Sequence, residues 1–235
     1  MRGTTADRGF GRAILLGVLA LLVLPASASA QAYEPNDTPG SAFGPLTNGQ
    51  QLFALLESNS DEDWYSFYVA KTSSTTFTFQ TLDPAPPSGD YDPCGFGLNI
   101  HDAKSPEFPI LEQDFVDFSS DGCHNAEASG TFVNSLKQGK YYVMVQDLVQ
   151  IRGDMPYALT ATSGISSLAE VQAGCDSRTT KADGSQRKAD KLKSKIKSAK
   201  SKSQKRKAKK KYKAAKAAAK SDAKAAQRYC KILTL

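Results

Sequence analysis

Histidine and tryptophan are scarce in this chain. It has two His, His101 and His124, and one Trp, Trp64, among 235 residues. So little imidazole leaves few candidates for a nucleophile–base pair or a histidine-rich metal centre. No H-E-x-x-H, G-x-S-x-G or P-loop string occurs, so the common metallopeptidase, serine-hydrolase and nucleotide-binding signatures are missing. Cys94, His101, Cys123 and His124 have no usual zinc spacing. Paired carboxylates are abundant, but an acidic surface supplies such pairs by chance. These absences point away from an enzyme.

Long apolar runs are lacking too. The longest, "AILLGVLALLVL" at 13–24, falls short of the ~20 residues a membrane span needs. It follows Arg2, Arg8 and Arg12 and precedes Pro25 and the small residues "ASA" at 28–30, which is the shape of a signal peptide over 1–30. An uncleaved anchor is the alternative. No Cys sits near residue 30 to accept a lipid. The expectation is an exported, extracellular chain, free or associated with a cell wall.

What remains is sharply divided by charge. Residues 31–174 hold five Lys/Arg and nineteen Asp/Glu, a net of −14, while 175–235 hold twenty-two Lys/Arg and four Asp, a net of +18. The formal +6 of the whole chain hides both. Four cysteines, an even count in an exported chain, favour disulfides, although four allow three pairings. Pairing within each half, Cys94–Cys123 and Cys175–Cys230, is the simplest.

The acidic half reads as mainly β. "DWYSFYVA" (63–70) sets Tyr65, Phe67 and Val69 on one face and Trp64, Ser66 and Tyr68 on the other. "TTFTFQT", "GFGLNIHD", "GTFVNSL", "KYYVMVQDL" and "PYALTAT" continue the two-residue period, with turn-forming clusters between them. About eight antiparallel strands predict a β-sandwich, jelly-roll-like, over 31–165.

Two segments resemble the bacterial pre-peptidase C-terminal (PPC) domain family. One is "EPNDTPGSAFGPLTNGQQLFALLESNSDEDWYSFYV" (34–69). The other is "LKQGKYYVMVQD" (136–147) followed by "YALTAT" (157–162). The segment 83–130 does not share the resemblance and reads as an insertion. The family implies a β-sandwich accessory module of secreted enzymes, and its relatives among collagen-binding modules bind calcium through an acidic N-terminal segment and an Asp-rich turn. Glu34, Asn36 and Asp37, with Asp61 and Asp63, are the matching positions here. Their chemistry agrees: calcium takes six to eight hard oxygens. Pro35 is expected to hold Glu34 extended, so that Glu34 and Asn36 point the same way. Asn36 and Asp37 equally suit side-chain-to-backbone turns before Pro39-Gly40. Gln31 and Ala32 stand where tighter-binding relatives carry further acids.

Arg152-Gly153-Asp154 matches the integrin-recognition tripeptide, in a stretch that reads as a hairpin tip. Such a tripeptide also arises by accident in chains of this length.

The basic tail is dominated by Lys, Ala, Ser and Arg, good helix formers. Ala189, Leu192, Ile196 and Ala199, then Ala208, Tyr212, Ala215, Ala219, Ala223 and Ala226, recur at three- and four-residue spacing. Between them "KSKSQKRK" (200–207) has no apolar residue and lies near the midpoint between Cys175 and Cys230. A single helix would hold those cysteines about 80 Å apart, so the pattern predicts an antiparallel hairpin closed by their disulfide. It is expected to occupy 182–235 after a linker at 166–181, with Gly184 delaying the first helix until about Ser185. Lys205, Arg206, Lys207, Lys209, Lys210, Lys211 and Lys213 are the densest cations. They suit an anionic cell-wall polymer, polysaccharide or lipid surface, or extracellular nucleic acid. A solvated spacer is the plain alternative. The leading expectation is a secreted, non-catalytic binding protein attached through its tail. An accessory factor of a separate secreted hydrolase, or a self-assembling structural component, are the competing ones.

Overall fold

The computed structural model describes residues 33–82, 94–117, 129–148 and 155–235. The signal segment 1–30, Cys123 with its proposed bridge to Cys94, and Arg152-Gly153-Asp154 lie outside the described residues. Among them, no helix is long and apolar enough to cross a membrane.

Eight strands form two four-stranded antiparallel sheets, followed by two helices. The strands are β1 (Gln51–Leu56), β2 (Glu62–Val69), β3 (Ser73–Thr81), β4 (Cys94–Asp102), β5 (Pro109–Asp117), β6 (Ser129–Leu136), β7 (Gly139–Asp147) and β8 (Met155–Ser163). One sheet has the order β1-β8-β3-β6 and the other β2-β7-β4-β5. The expected β-sandwich is therefore the fold. Within the segment read as an insertion, the described strands β4 and β5 belong to the sheet, because β4 pairs β7 and β5 pairs β4.

Alternation fixes the core. Tyr65, Phe67 and Val69 of β2 point inward with Phe77, Phe79, Phe96, Leu98, Val143, Tyr157 and Leu159. Phe67 packs against Phe77 and Tyr141, and Phe79 against Phe96 and Tyr157, with ring centroids 4.7–5.7 Å apart. Each buried aromatic removes a large apolar area from water at roughly 25 cal/mol per Å².

The outward face of β2 is buried as well. Trp64 sits with Tyr142 and Met144, and Tyr68 is covered by the root of the helical hairpin. Helix α1 (Leu168–Lys197) starts well before the expected Ser185, inside the stretch read as a linker. A capping box starts it: the Ser167 side chain accepts from Glu170 N, and the Glu170 carboxylate accepts from Ser167 N. One residue earlier, Ser166 N donates to Tyr68 O at 2.7 Å and Ser166 Oγ accepts from Ala70 N. The helix is thus fastened to β2 at its first turn. Helix α2 (Lys202–Cys230) follows at once because Ser201 caps it, accepting from Gln204 N. The turn therefore spans 198–201, overlapping the start of the polar stretch 200–207 where it was expected.

The hairpin predicted from the cysteine symmetry is present, and Cys175 and Cys230 are bonded, with Cα atoms 5.0 Å apart. Val171, Cys175, Tyr229 and Ile232 close over Tyr68, and Arg178 lies 3.8 Å above the Tyr229 ring. Two glycines of α1 differ sharply. A Cβ on Gly174 would come within 2.3 Å of the Tyr229 hydroxyl, whereas one on Gly184 meets nothing within 4 Å. Gly174 is needed for close approach; Gly184 only lowers helix stability. Gly184→Ala should raise the melting temperature, by about 0.5–1 kcal/mol of stability. Gly174→Ala should lower it, by about 1–3 kcal/mol of overpacking. Thermal melts of the two variants check this pair, and equal shifts would contradict it.

Candidate functional site

The N-terminal segment lies along the free edge of β2. Trp64 N donates to Asn36 O, Phe43 N to Trp64 O, Ser66 N to Phe43 O and Leu46 N to Ser66 O, at 2.7–2.9 Å. Tyr33 packs edge-on against Phe43 and Tyr65. Local turn chemistry contributes too, since Thr38 and Ser41 exchange side-chain and backbone bonds. These contacts carry residues 34–37 to the acidic turn that precedes β2.

Glu34, Asp61 and Asp63 meet there, each offering a carboxylate oxygen within 4.8 Å of the others. Each carboxylate accepts a hydrogen bond that helps to position it. Glu34 Oε2 accepts from Asn36 N at 3.0 Å, Asp61 Oδ2 from Glu57 N at 2.6 Å, and Asp63 Oδ2 from the Tyr157 hydroxyl. Tyr65 in turn shares a 2.6 Å hydroxyl contact with Tyr157. Because Tyr157 gives its proton to Asp63, Tyr65 is the donor in that contact. The relay joins β2 of one sheet to β8 of the other.

The Glu34–Pro35 peptide is cis, and the carboxylate folds back onto the Asn36 amide. Of the five expected oxygen donors, the structure brings together Glu34, Asp61 and Asp63. Asn36 is buried beside them in the chain, whereas Asp37 is exposed and stands outside the group. Alternation put Asn36 on the side of Glu34, and Asn36 is the buried one of the two, its carbonyl accepting from Trp64 N.

Electrostatically the group is uncomfortable. Burial is the main cause of Asp63's raised pKa, pushed up to about 8, with the Glu34 and Asp61 carboxylates adding to it. Burial also raises Glu34 and Asp61, and it holds the Tyr65 and Tyr157 hydroxyls well above their usual range. Asn36 and Asp63 are both 0% exposed. The Tyr65 hydroxyl neighbours Asn36, yet neither polar atom of that side chain makes a well-formed hydrogen bond, and Asp63 Oδ1 has no donor. Buried oxygens without donors cost free energy, and like charges this close cannot all ionise unaided. A cation would relieve both. The donors are all hard oxygens, which suits a hard divalent cation rather than a thiophilic one. This acidic group can hold a metal ion.

The hairpin's seven candidate cations, Lys205, Arg206, Lys207, Lys209, Lys210, Lys211 and Lys213, are all exposed on α2. Among the described residues none of them has an ion-pair partner. The tail's recorded ion pair is Lys181 with Asp222, 3.2 Å apart, and Asp222 also accepts from Ser185 Oγ.

A third feature, missed in the sequence, lies on the outer face of β2-β7-β4-β5. A cavity of about 390 Å³ is lined by Trp64, Asn99, His101 and Met144. His101 is held by a 2.8 Å contact of Nδ1 with Pro106 O, and burial lowers its pKa. A lone histidine in an alternating strand gives no signal that an outer-face position will be buried.

No family model matches the chain, and no curated protein does. Among solved structures, it is similar to the pre-peptidase C-terminal domain of collagenase from Bacillus anthracis. Identity there is 16% and the TM-score 0.34, over 49% of this chain and 90% of that one. It is also similar to CBM35 from Cellvibrio japonicus Abf62, at 10% identity and TM-score 0.32 over 48% and 74%. A third is Xyl-CBM35 in complex with a glucuronic acid containing disaccharide, at 13% identity and TM-score 0.33 over 52% and 79%.

The raised pKa of Asp63 predicts a pH dependence for metal-free protein. A carboxyl that titrates near 8 folded and near 3.8 unfolded stabilises the fold when protonated, and that contribution fades as pH rises across this interval. In chelator, the melting temperature should therefore fall from about pH 5 to about pH 8. The lowered His101 acts with the opposite sign below its ordinary pKa. Asp63→Asn isolates the effect by flattening the decline, and an undiminished decline in that variant would refute the assignment.

Proposed function

We propose that this chain is an exported, non-catalytic binding module of the PPC type, closed by calcium at its N-terminal segment and attached to an anionic extracellular surface by its basic hairpin. The observation that carries the attachment is the mounting of the hairpin. A disulfide, a capped first turn and the Tyr68 cluster fix its root, while seven cations on α2 stand without carboxylate partners among the described residues. No carboxylate among the described residues neutralises these cations, and an anionic surface would attract each by about 1 kcal/mol. Screening confines that attraction to roughly 10 Å at 0.1 M salt.

Calcium is the ion that the acidic group suits. Glu34, Asp61 and Asp63 would hold it, and the buried Asn36 Oδ1, which lacks a hydrogen-bond partner, is a candidate fourth oxygen. Bound there, it would neutralise the buried carboxylates and tie the N-terminal segment to the start of β2. Few ligands and partial exposure point to weak affinity, in the ~10⁻⁴–10⁻³ M range of extracellular modules.

Retention on anionic vesicles or wall polymer, measured at rising salt, tests the attachment. Replacing the seven cations by Gln should weaken retention more than about tenfold. Equal retention of that variant would overturn the proposal. For the metal, millimolar calcium should raise the melting temperature of the wild type. Glu34→Gln with Asp61→Asn should abolish the rise, and Asp37→Asn should leave it intact. No calcium-dependent shift in the wild type would dispose of the site.

A further inference from the structure

Two surfaces of this chain complement each other, and none of the described residues covers either. The first is a trough along the distal half of the hairpin. Two adjoining cavities of about 580 and 410 Å³ share Leu192 and Lys211. Their lining positions, Lys188, Leu192 and Lys195 on α1 with Ala208, Lys211 and Ala215 on α2, recur at the three- and four-residue spacing of one helix face. The floor is Leu and Ala, the rim is Lys, and no Asp or Glu lines either cavity. The trough exists because two helices cannot enclose their own seam. At the root Tyr68 covers the seam, whereas distally Leu192, Ala208 and Ala215 remain half-buried.

The second surface is the segment Glu107–Glu112, "EFPILE", at the start of β5. Phe108 is 74% exposed and Ile110 50%. Leu111 packs against the core, so Ile110 and Glu112 face away from it. The neighbouring Lys104 is paired with Asp102 at 3.5 Å, which leaves Glu107 and Glu112 to set the local charge. β5 is also the last strand of its sheet, so the knob stands at an edge. Other large apolar side chains are exposed, namely Phe53, Val133 and Leu168. Only Phe108 and Ile110 form a pair bracketed by two glutamates.

We propose that the Phe108–Ile110 knob of one copy seats in the lysine-rimmed trough of another. Apolar side chains would cover Leu192 and the alanine floor, with Glu107 and Glu112 meeting the rim lysines. A second copy is favoured because it brings an apolar pair and flanking carboxylates together, the combination that the trough's floor and rim require. Knob and trough are different surfaces, so the contact is head-to-tail and extends into rings or chains rather than closing at a twofold dimer. The contact shares Lys211 with the anionic-surface reading, but it needs no partner other than this chain, so sedimentation without polyanion tests it apart from that reading.

Sedimentation of the protein in low salt, without polyanion, tests it. The weight-average mass of the wild type should climb past one chain mass below about 1 mM, a contact of at least ~4 kcal/mol. Phe108→Asp with Ile110→Asp removes the knob, and Leu192→Asp removes the trough floor; each alone should remain monomeric. Mixed, they should form a 1:1 dimer that grows no further, because one working knob meets one working trough. As a second arm, Lys188→Glu with Lys211→Glu should lose association and regain it with a partner carrying Glu107→Lys and Glu112→Lys. Far-ultraviolet dichroism of each variant confirms folding. A wild type monomeric throughout, or a mixture that stays monomeric while both variants are folded, overturns the proposal. So does a monomeric wild type whose trough takes up dodecyl phosphate, which would mark an amphiphile site instead.

Discussion

A carboxylate at the centre of a β-sandwich must be neutralised, and the rest of this structure is arranged around how that happens to Asp63. Its Oδ2 ends a hydroxyl relay from Tyr65 through Tyr157 that crosses between the sheets. Its other oxygen lies beside Glu34 and Asp61, groups that no lysine or arginine compensates among the described residues. A purely apolar residue at this position would bury more simply. The cost of a buried acid is offset only if a proton or a cation is supplied. Supplying either ties three segments together: the N-terminal stretch, the turn before β2, and β8.

Strand β2 then distributes that constraint. Its inward side carries Asp63, Tyr65, Phe67 and Val69; its edge is taken by residues 36–46; its outward side meets Trp64's neighbours at one end and the hairpin root at the other. Neutralising Asp63 therefore steadies the strand on which the hairpin is seated. The acidic site and the basic appendage, though opposite in charge, share one strand as their foundation.

Much of this was legible from residue order. The alternation of β2 gave the correct inward face, and the placement of two cysteines around a polar gap gave the hairpin and its disulfide. Other features depend on partners distant in sequence. That Tyr68 faces outward yet is buried follows from Val171 and Tyr229, more than a hundred residues away. The early start of α1 was written locally, in Ser167-x-x-Glu170, but a nearby glycine drew the boundary too late. Alternation set Asn36 with Glu34, but that Asn36 is buried depends on its segment pairing with β2, through Asn36 O and Trp64 N. β5 reads poorly because it is an edge strand entered through Pro109, with Phe108 just before it and Ile110 at its start both exposed.

The hairpin shows why a seam of alanine is used where leucine would pack better. Small residues let the helices approach, but each contributes little apolar area, and lysines on both helices repel one another. Left alone, such a pair would be marginal. The disulfide reduces the entropy of the separated helices, and the root cluster anchors one end, so the distal half need not supply stability of its own. Its Ser185–Asp222–Lys181 link is polar and holds register without closing the trough. Freed from enclosing a core, the distal helices can keep their apolar floor open and their cations unpaired. An arm built this way holds its charge at a fixed distance and orientation from the sandwich, which a solvated spacer of the same composition would not do.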